Sequence, residues 1–249
     1  MLVFLINALK IIFLLGFLVF IHEGGHFIVA KLCKVRVNEF ALGFGPTLFS
    51  KTKGDTKYKL NIIPLGGYVN LEGEEEHSDA EGSFSNTSIP KKIAILLAGG
   101  MVNILFGVLV YFALMMYVYD YSSIIERLQF AILNTGDFIA SIFMGLKDLF
   151  TGKVGMNQMT GIVGISNMVV KTSGFINYIY LLGIISLSLG ITNLLPFPPL
   201  DGGKIVIYVI EAIRRKPLKE SFETKLQMIG FTLLILLSIY VTYQDIIRI

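Results

Sequence analysis

The stretch Phe20-Ile21-His22-Glu23-Gly24-Gly25-His26-Phe27 lies where a long apolar run ends and the first positive charges begin. On an α-helix, His22 and His26 share one face about 6 Å apart along the axis, so both imidazoles can reach one metal ion. Glu23 points close beside them. This H-E-x-x-H pattern predicts that the histidines bind zinc and that the glutamate takes a proton from water. The alternative is two histidines that snorkel at a membrane surface.

The composition indicates an integral membrane protein. The 249 residues are 54% hydrophobic and only 16% charged, and the mean hydropathy is +0.70, which is too apolar for an ordinary soluble domain. The net charge is +3, and the positive residues flank apolar segments, so we expect the lipid bilayer and no nucleic acid as a partner. A single cysteine, Cys33, excludes an internal disulfide and a thiolate-rich metal site.

Four apolar runs have the length of transmembrane helices. They lie at about 2–21, 93–119, 176–195 and 226–247. The segment at about 124–150 carries charges at mixed spacing, which is more typical of a helix that lies along the membrane interface. We therefore expect a mainly α-helical membrane protein with about four spans, forming a single domain over residues 1–249.

The region at about 35–71 is rich in β-branched and aromatic residues and is broken by glycines, which predicts a small β-hairpin or sheet. Its second half suits a hairpin that re-enters the bilayer from the cytoplasmic side, shielded by other protein. A peripheral hairpin fits the same residues. The acidic stretch 72–81 that follows is predicted to be a solvated loop, and its His77 is not expected to bind metal.

Asp201 is the natural third ligand. It follows a proline-rich break in the third span and lies among apolar residues, where a carboxylate costs roughly 2.5–3.5 kcal/mol at a span centre and less near an end. A metal ion offsets that cost. The competing role is a helix N-cap, since Gly-Gly-Lys and an apolar run follow. Asn103, inside the second span, is expected to make an interhelical hydrogen bond.

The charge distribution predicts the topology. Nine Lys or Arg residues lie between the first two spans and six between the last two, whereas the long connection after the second span has four. The positive-inside rule then places both termini outside and the metal motif toward the cytoplasmic leaflet.

Five features together resemble the site-2 protease family of intramembrane zinc metalloproteases, most closely the bacterial proteases that regulate sigma-E. They cover most of the chain and are His22–His26, Gly43–Pro46, Ile63–Tyr68, Asn103 and Asn193–Gly203. One departure is clear. The sigma-E-regulating proteases carry one or more PDZ domains between spans two and three, and the stretch 120–150 is too short for one.

The resemblance implies a site. One zinc ion per chain would be bound by His22, His26 and Asp201, with Glu23 as base and later acid. The implied substrate-binding residues are Asn193, Asn103 and the β-loop residues Ile63, Pro64, Leu65, Gly66, Gly67, Tyr68 and Val69. The β-loop would present an edge strand to an unwound substrate, and Asn193 would hold the substrate or its oxyanion.

The expected function is an intramembrane zinc endopeptidase of the bacterial inner (plasma) membrane. It would cut transmembrane segments of single-pass proteins, such as anti-sigma factors or remnant signal peptides. Three alternatives stay open. They are a catalytically silent scaffold that binds transmembrane helices, a metal transporter, and another membrane metallopeptidase in which Glu211 is the last ligand.

Overall fold

The chain is mainly α-helical, with one small sheet. A computed structural model describes residues 1–74, 76–118 and 123–248. The helices are α1 (Leu2–Leu32), α2 (Ile89–Val118), α3 (Ile124–Phe150), α4 (Ile162–Lys171), α5 (Phe175–Asn193), α6 (Asp201–Arg214) and α7 (Glu220–Arg248), and the strands are β1 (Val37–Lys53) and β2 (Thr56–Leu71). The predicted mainly α-helical class with a small antiparallel sheet is confirmed, and the re-entrant placement of that sheet in the membrane stays a prediction.

Five of the described helices, α1, α2, α3, α5 and α7, are long and apolar enough to cross a membrane. Four of them match the predicted spans. The fifth, α3, is the segment predicted to lie along the interface, and it is the least apolar of the five. Its charged residues give it an amphipathic character that suits an interface as well as a span. The count of four spans therefore stays a prediction.

Helix α1 is longer than the predicted first span. It has 31 residues, a length of about 46 Å at 1.5 Å per residue, which exceeds the roughly 30 Å hydrocarbon core. The run from Leu2 to His22 alone covers about 30 Å. The metal motif thus lies in the last third of a continuous helix, which ends at Cys33 with Lys34 in the left-handed conformation.

The chain divides into two compact units. Unit 1 comprises residues 1–103 and 189–231, and unit 2 comprises 104–188 and 232–249. Each is assembled from two separate stretches of sequence, so they are not successive domains along the chain. The single-domain assignment stays a prediction, and the metal motif and Asp201 both belong to unit 1.

The sheet in unit 1 is formed by two long strands, and one part of β1 pairs with two different segments of β2. Residues 47–53 of β1 pair with 56–61 of β2 as a hairpin, while residues 39–42 of β1 pair both with 57–60 and with 67–70. The earlier half of β1 is therefore a central segment. The last segment of β2, residues 67–71, has a paired neighbour on one side only among the described residues, which leaves an edge available.

In unit 2, a buried carboxylate holds the start of α4. Asp245, near the end of α7, accepts hydrogen bonds from the backbone N–H groups of Gly161 and Gly164 at 2.9 and 2.8 Å. Those amides lie at a helix N-terminus, which lacks backbone acceptors and favours negative charge. A Cβ on Gly164 would lie 2.7 Å from the other Asp245 oxygen, so the close approach requires glycine.

We expect Asp245→Ala to loosen the start of α4, because two amides lose their acceptor. A buried unsatisfied donor costs about 1–3 kcal/mol. Hydrogen exchange of residues 161–165 in detergent should become faster by about 10-fold or more. Asp137→Ala, which removes an exposed carboxylate from α3, is the matched control. Unchanged exchange in the Asp245 variant would contradict the structural role.

Candidate metal centre

Three side chains from distant parts of unit 1 converge on one point. The Nε2 atoms of His22 and His26 are 3.3 Å apart. The Oδ2 atom of Asp201 lies 3.3 Å from the His22 nitrogen and 3.4 Å from the His26 nitrogen. The three potential ligand atoms thus form a nearly equilateral triangle. Among the described residues, this is the group of three side chains arranged to hold a metal ion.

The triangle fits tetrahedral zinc. Zinc binds imidazole nitrogen and carboxylate oxygen at 2.0–2.2 Å, and two ligands at that distance in a tetrahedral arrangement are about 3.3–3.6 Å apart. All three measured separations fall in this range. Three protein ligands leave the fourth position open, as in catalytic rather than structural zinc sites.

The His26 ring is oriented by α2. Its Nδ1–H donates to the carbonyl of Ile95 at 2.8 Å, so Nε2 carries the lone pair directed at the triangle. Second-shell hydrogen bonds of this kind fix the tautomer of a metal-binding histidine. The two helices meet through glycines. A Cβ on Gly25 would lie 2.5 Å from the Ala98 carbonyl oxygen, and a Cβ on Gly99 would overlap the His26 ring itself.

Asp201 is the first residue of α6, and the N-cap position belongs to Leu200. The N-cap role considered for Asp201 is therefore wrong, and its carboxylate points to the histidines instead. The proline-rich turn after α5 allows this placement. A Cβ on Gly202 would overlap the carbonyls of Leu194 and Leu195, so the glycine lets α6 start directly against the end of α5.

Glu23 lines a cavity of about 180 Å³ together with the three potential ligands. The remaining lining residues are Gly67, Tyr68, Val69, Leu71, Glu74, Ile95 and Leu96. Apart from Tyr68 and Glu74, these are apolar or glycine, so the cavity offers few polar groups beside the potential ligands and Glu23. Such a composition is typical of a site where a small number of polar groups fix the orientation of a ligand.

The predicted β-loop residues are divided between several positions. Gly67, Tyr68 and Val69 line the cavity beside Glu23, whereas Gly66 lines a separate, apolar cavity. Ile63 pairs with Phe44 across the hairpin and is 45% exposed. The side chains of Pro64 and Leu65, also predicted to bind substrate, lie outside the described part of the chain.

Gly67 allows strand β2 to approach the H-E-x-x-H motif of α1 closely. A Cβ at this position would lie 2.9 Å from the Val19 side chain and 3.3 Å from that of Glu23. Strand β2 therefore crosses α1 directly at the turn of the helix that carries Glu23. The edge segment 67–71 thus runs along the wall of the cavity.

The two predicted asparagines have different surroundings. The Nδ2 of Asn193, at the end of α5, is 3.5 Å from the Nε2 of His22, so this side chain borders the site. Asn103 is fully buried and donates to the backbone carbonyl of Leu18 at 3.3 Å. It makes the interhelical hydrogen bond expected from its position and is not part of the cavity lining.

Two alternative ligands lie elsewhere. His77 is exposed and lies 3.2 Å from Asp79. The carboxylate of Glu211 accepts a hydrogen bond from the backbone N–H of Leu218 at 2.6 Å. Neither belongs to the group of potential ligands, so the arrangement favours Asp201 as the last ligand over Glu211.

Glu74 was not among the predicted site residues. It lies in the stretch predicted to be a solvated loop, yet it lines the cavity beside Glu23 and forms an ion pair of 2.8 Å with Lys204. Burial alone would lower the pKa of Lys204, but the neighbouring carboxylate outweighs burial and raises the pKa above its ordinary value. The position of Lys204, one turn after Asp201 on α6, was the available signal, because that spacing places both on one helix face.

A polar cluster holds the segments of the sheet together. Glu39, in the central segment, accepts hydrogen bonds from Lys59 at 2.6 Å and from the hydroxyl of Tyr68 at 2.9 Å. These partners lie on the two flanking segments of β2. The Lys59 ammonium lowers the pKa of Glu39. Glu39 thus connects the hairpin to the edge strand that lines the cavity.

Residues 10–237 match the sequence profile of peptidase family M50. The chain belongs to this family. The three potential metal ligands thus occur in a chain that belongs to a metallopeptidase family. M50 peptidases use zinc, so zinc is the cofactor of this chain.

Curated relatives carry a consistent name. A protein named "Putative zinc metalloprotease" from Clostridium acetobutylicum is 26% identical over 97% of this chain and 97% of its own length. One of the same name from Fusobacterium nucleatum is 26% identical over 94% of this chain and 96% of its own length. A Neisseria meningitidis relative reaches 44% identity, but over 42% of this chain and 24% of its own length.

This chain is shorter than its relatives within the aligned region. The alignment with the Clostridium acetobutylicum protein has 330 positions, and the chain has 249 residues, so at least 81 positions (330 less 249) have no counterpart here. Because 97% of both proteins is aligned, most of this difference lies inside the alignment. A missing inserted module, as predicted for the PDZ domain, would produce a difference of this kind.

We expect Gly99→Ala to weaken zinc binding, because the added methyl group overlaps the His26 ring. Changes to groups that orient a metal ligand typically cost 10–100-fold in affinity, and we expect a loss in that range. The measurement is zinc retained by the purified protein during titration with a chelator. Gly145→Ala in α3, where an added Cβ meets nothing within 4 Å, should retain wild-type affinity. Equal zinc retention in both variants would contradict the interpretation.

Glu39→Gln should remove an acid-sensitive part of the sheet's stability. A carboxyl group whose pKa is lowered by folding stabilises the fold above its ordinary pKa of 4.5, and this contribution is lost as the pH falls through the lowered value. In the wild type, hydrogen-exchange protection of residues 67–71 should decrease across that acidic range. The variant should show lower protection at neutral pH and no such step, whereas Glu81→Gln outside the sheet should match the wild type.

Proposed function

We propose that this M50 metalloprotease is an intramembrane endopeptidase that cuts transmembrane segments of other membrane proteins. The observation that supports this most is the 3.3–3.4 Å triangle of His22, His26 and Asp201 beside Glu23. Both histidines and Glu23 are carried by a helix that is apolar on all sides. A hydrolytic site on such a helix has membrane-embedded peptide as its natural substrate.

In the proposed reaction, His22, His26 and Asp201 hold the metal and Glu23 moves the proton. When bound, zinc supplies a Lewis acid that polarises the scissile carbonyl and lowers the pKa of a water toward neutral. Glu23, on the same turn as His22, accepts a proton from the attacking water and later gives it to the leaving amine. The amide of Asn193 borders the site at His22 and is positioned to donate to the developing oxyanion.

The edge segment 67–71 of β2 is proposed to hold the substrate. A transmembrane helix hides its carbonyls in internal hydrogen bonds, so it must unwind locally before attack. Pairing with an open strand edge replaces the lost bonds with intermolecular ones. Since Gly67 brings this edge within van der Waals distance of Glu23, a peptide added there passes the proton-transferring carboxylate.

We propose the bacterial inner membrane as the location, with the active site toward the cytoplasm. The excess of Lys and Arg in the connections after α1 and before α7 supports that orientation. Both termini lie outside if α3 (Ile124–Phe150) runs along the surface. If α3 crosses, the connections after α1 and before α7 lie on opposite sides, which does not fit this charge distribution.

The substrates are proposed to be single-pass segments, such as those of anti-sigma factors or remnant signal peptides. The stretch 120–150 is too short for a PDZ domain, so we propose that the residues around the cavity beside Glu23, called the catalytic cavity below, select the substrate. The rival functions are less well supported. A transporter needs ionisable groups along several spans, and a silent scaffold has no need for a base at Glu23.

Glu23→Gln should retain zinc and lose proteolysis, because the amide keeps the shape of the side chain but cannot accept the proton. General acid–base catalysis contributes about 10²–10⁴-fold, so we expect cleavage of a co-expressed single-pass substrate to fall by at least about 100-fold. Zinc per purified protein is measured in parallel.

Asp201→Ala provides the second arm, since it removes a ligand rather than the base. It should lose both zinc and proteolysis. Full activity of the Glu23 variant would exclude the mechanism, and full zinc content of the Asp201 variant would exclude the ligand assignment. Zinc-dependent activity restricted to soluble peptides would exclude the intramembrane substrate.

A further inference from the structure

A second cavity lies beside the catalytic one. It has a volume of about 310 Å³ and lies between the first half of α1 and the sheet. Its lining residues are Ile12, Phe13, Gly16, Phe17, Phe20, Leu42, Gly43, Leu60, Asn61 and Gly66. An apolar cavity of about 150 Å³ accommodates one benzene ring, so this one has room for a large side chain.

The apolar cavity is bounded by an aromatic stripe on α1. Phe13, Phe17 and Phe20 follow one another at spacings of four and three, which places them on one helix face. The rings of Phe13 and Phe17 stack at 5.7 Å, and Phe20 meets Phe40 of the sheet edge-on at 6.1 Å. Gly16 also lines this cavity, and a Cβ at this position would meet nothing within 4 Å.

The one polar side chain in the lining has its hydrogen bonds satisfied internally. The amide of Asn61 donates to the carbonyl of Gly43 at 2.9 Å and accepts from the hydroxyl of Thr47 at 2.9 Å. It therefore offers little to a polar ligand. Burial of apolar surface is what the cavity can contribute to binding.

The apolar cavity and the catalytic cavity are lined by neighbouring residues of two elements. On β2, Gly66 lines the former and Gly67 lines the latter. On α1, Phe20 lines the apolar cavity, and Glu23, one turn later, lines the catalytic cavity. The distance from Glu23 back to Gly16 is about 10 Å along the helix. An extended peptide covers that distance in about three residues.

We propose that the apolar cavity is a specificity subsite for a bulky apolar side chain of the substrate, two or three residues from the scissile bond. This inference rests on the proposed function and names what that site selects. Because a substrate strand on the edge of β2 runs past both cavities, its side chains alternate between faces, and one of them reaches the space beside Gly16. The competing occupant is a lipid acyl chain, which would show no dependence on substrate sequence.

The experiment compares cleavage of a panel of single-pass substrates by purified wild type and Gly16→Leu in detergent. In the panel, each residue within three positions of the cut is replaced in turn by Ala, Leu or Phe. The wild type should prefer Leu or Phe over Ala by about 10-fold or more in kcat/KM at one position, two or three residues from the bond. Gly16→Leu fills the cavity and should abolish or reverse the preference at that position alone.

Gly136→Leu is the matched control, because it adds the same side chain to a glycine of α3 where a Cβ also meets nothing within 4 Å. It should keep the wild-type profile. Zinc content and the unfolding temperature of each variant report on folding. An equal change for all substrates in Gly16→Leu, with zinc retained, would overturn the subsite in favour of lipid or a structural role.

The outcomes separate the two levels of the proposal. Zinc-dependent cleavage by the wild type with no preference at any position would overturn the subsite and leave the protease intact. Absence of cleavage of every substrate by zinc-loaded wild type would overturn the proposed function, and the subsite with it.

Discussion

The arrangement of unit 1 depends on bringing one carboxylate to two imidazoles among apolar helices. A buried charge is costly unless a counter-charge or metal offsets it, so Asp201 is tolerable only where His22 and His26 meet it at 3.3–3.4 Å. The close contact of α1 with α2 at Gly25 and Gly99 serves this end. These glycines lower the helix propensity of α1 and α2, but they allow the two helices to approach closely enough to bring the potential ligands together.

Much of the candidate site could be predicted because its residues form recognisable local sequence patterns. The spacing of His22 and His26 fixes a helix face, and an aspartate after a proline-rich break stands out in apolar sequence. The span positions followed from length and hydropathy. Periodicity could not decide whether α3 (Ile124–Phe150) crosses the membrane. Its charges suit a surface helix, while its length and composition suit a span.

Other features required three dimensions. Glu74 looks like one of several acidic loop residues until α6 places Lys204 within 2.8 Å of it. The second pairing between β1 and β2 could not be predicted either, because a hairpin pattern does not reveal that residues 39–42 have partners on both sides. Glu39 holds that arrangement together, a role that depends on register rather than on residue type.

A single rigid helix carries Gly16 and the aromatic stripe near its middle, and it carries Glu23 about two turns after Gly16. An α-helix does not stretch, so the separation between these groups is constant. Under the proposed function, α1 thus acts as a molecular ruler. The bond that is cut is then specified by its distance from an anchoring side chain, and sequences that differ at the bond itself can be processed alike.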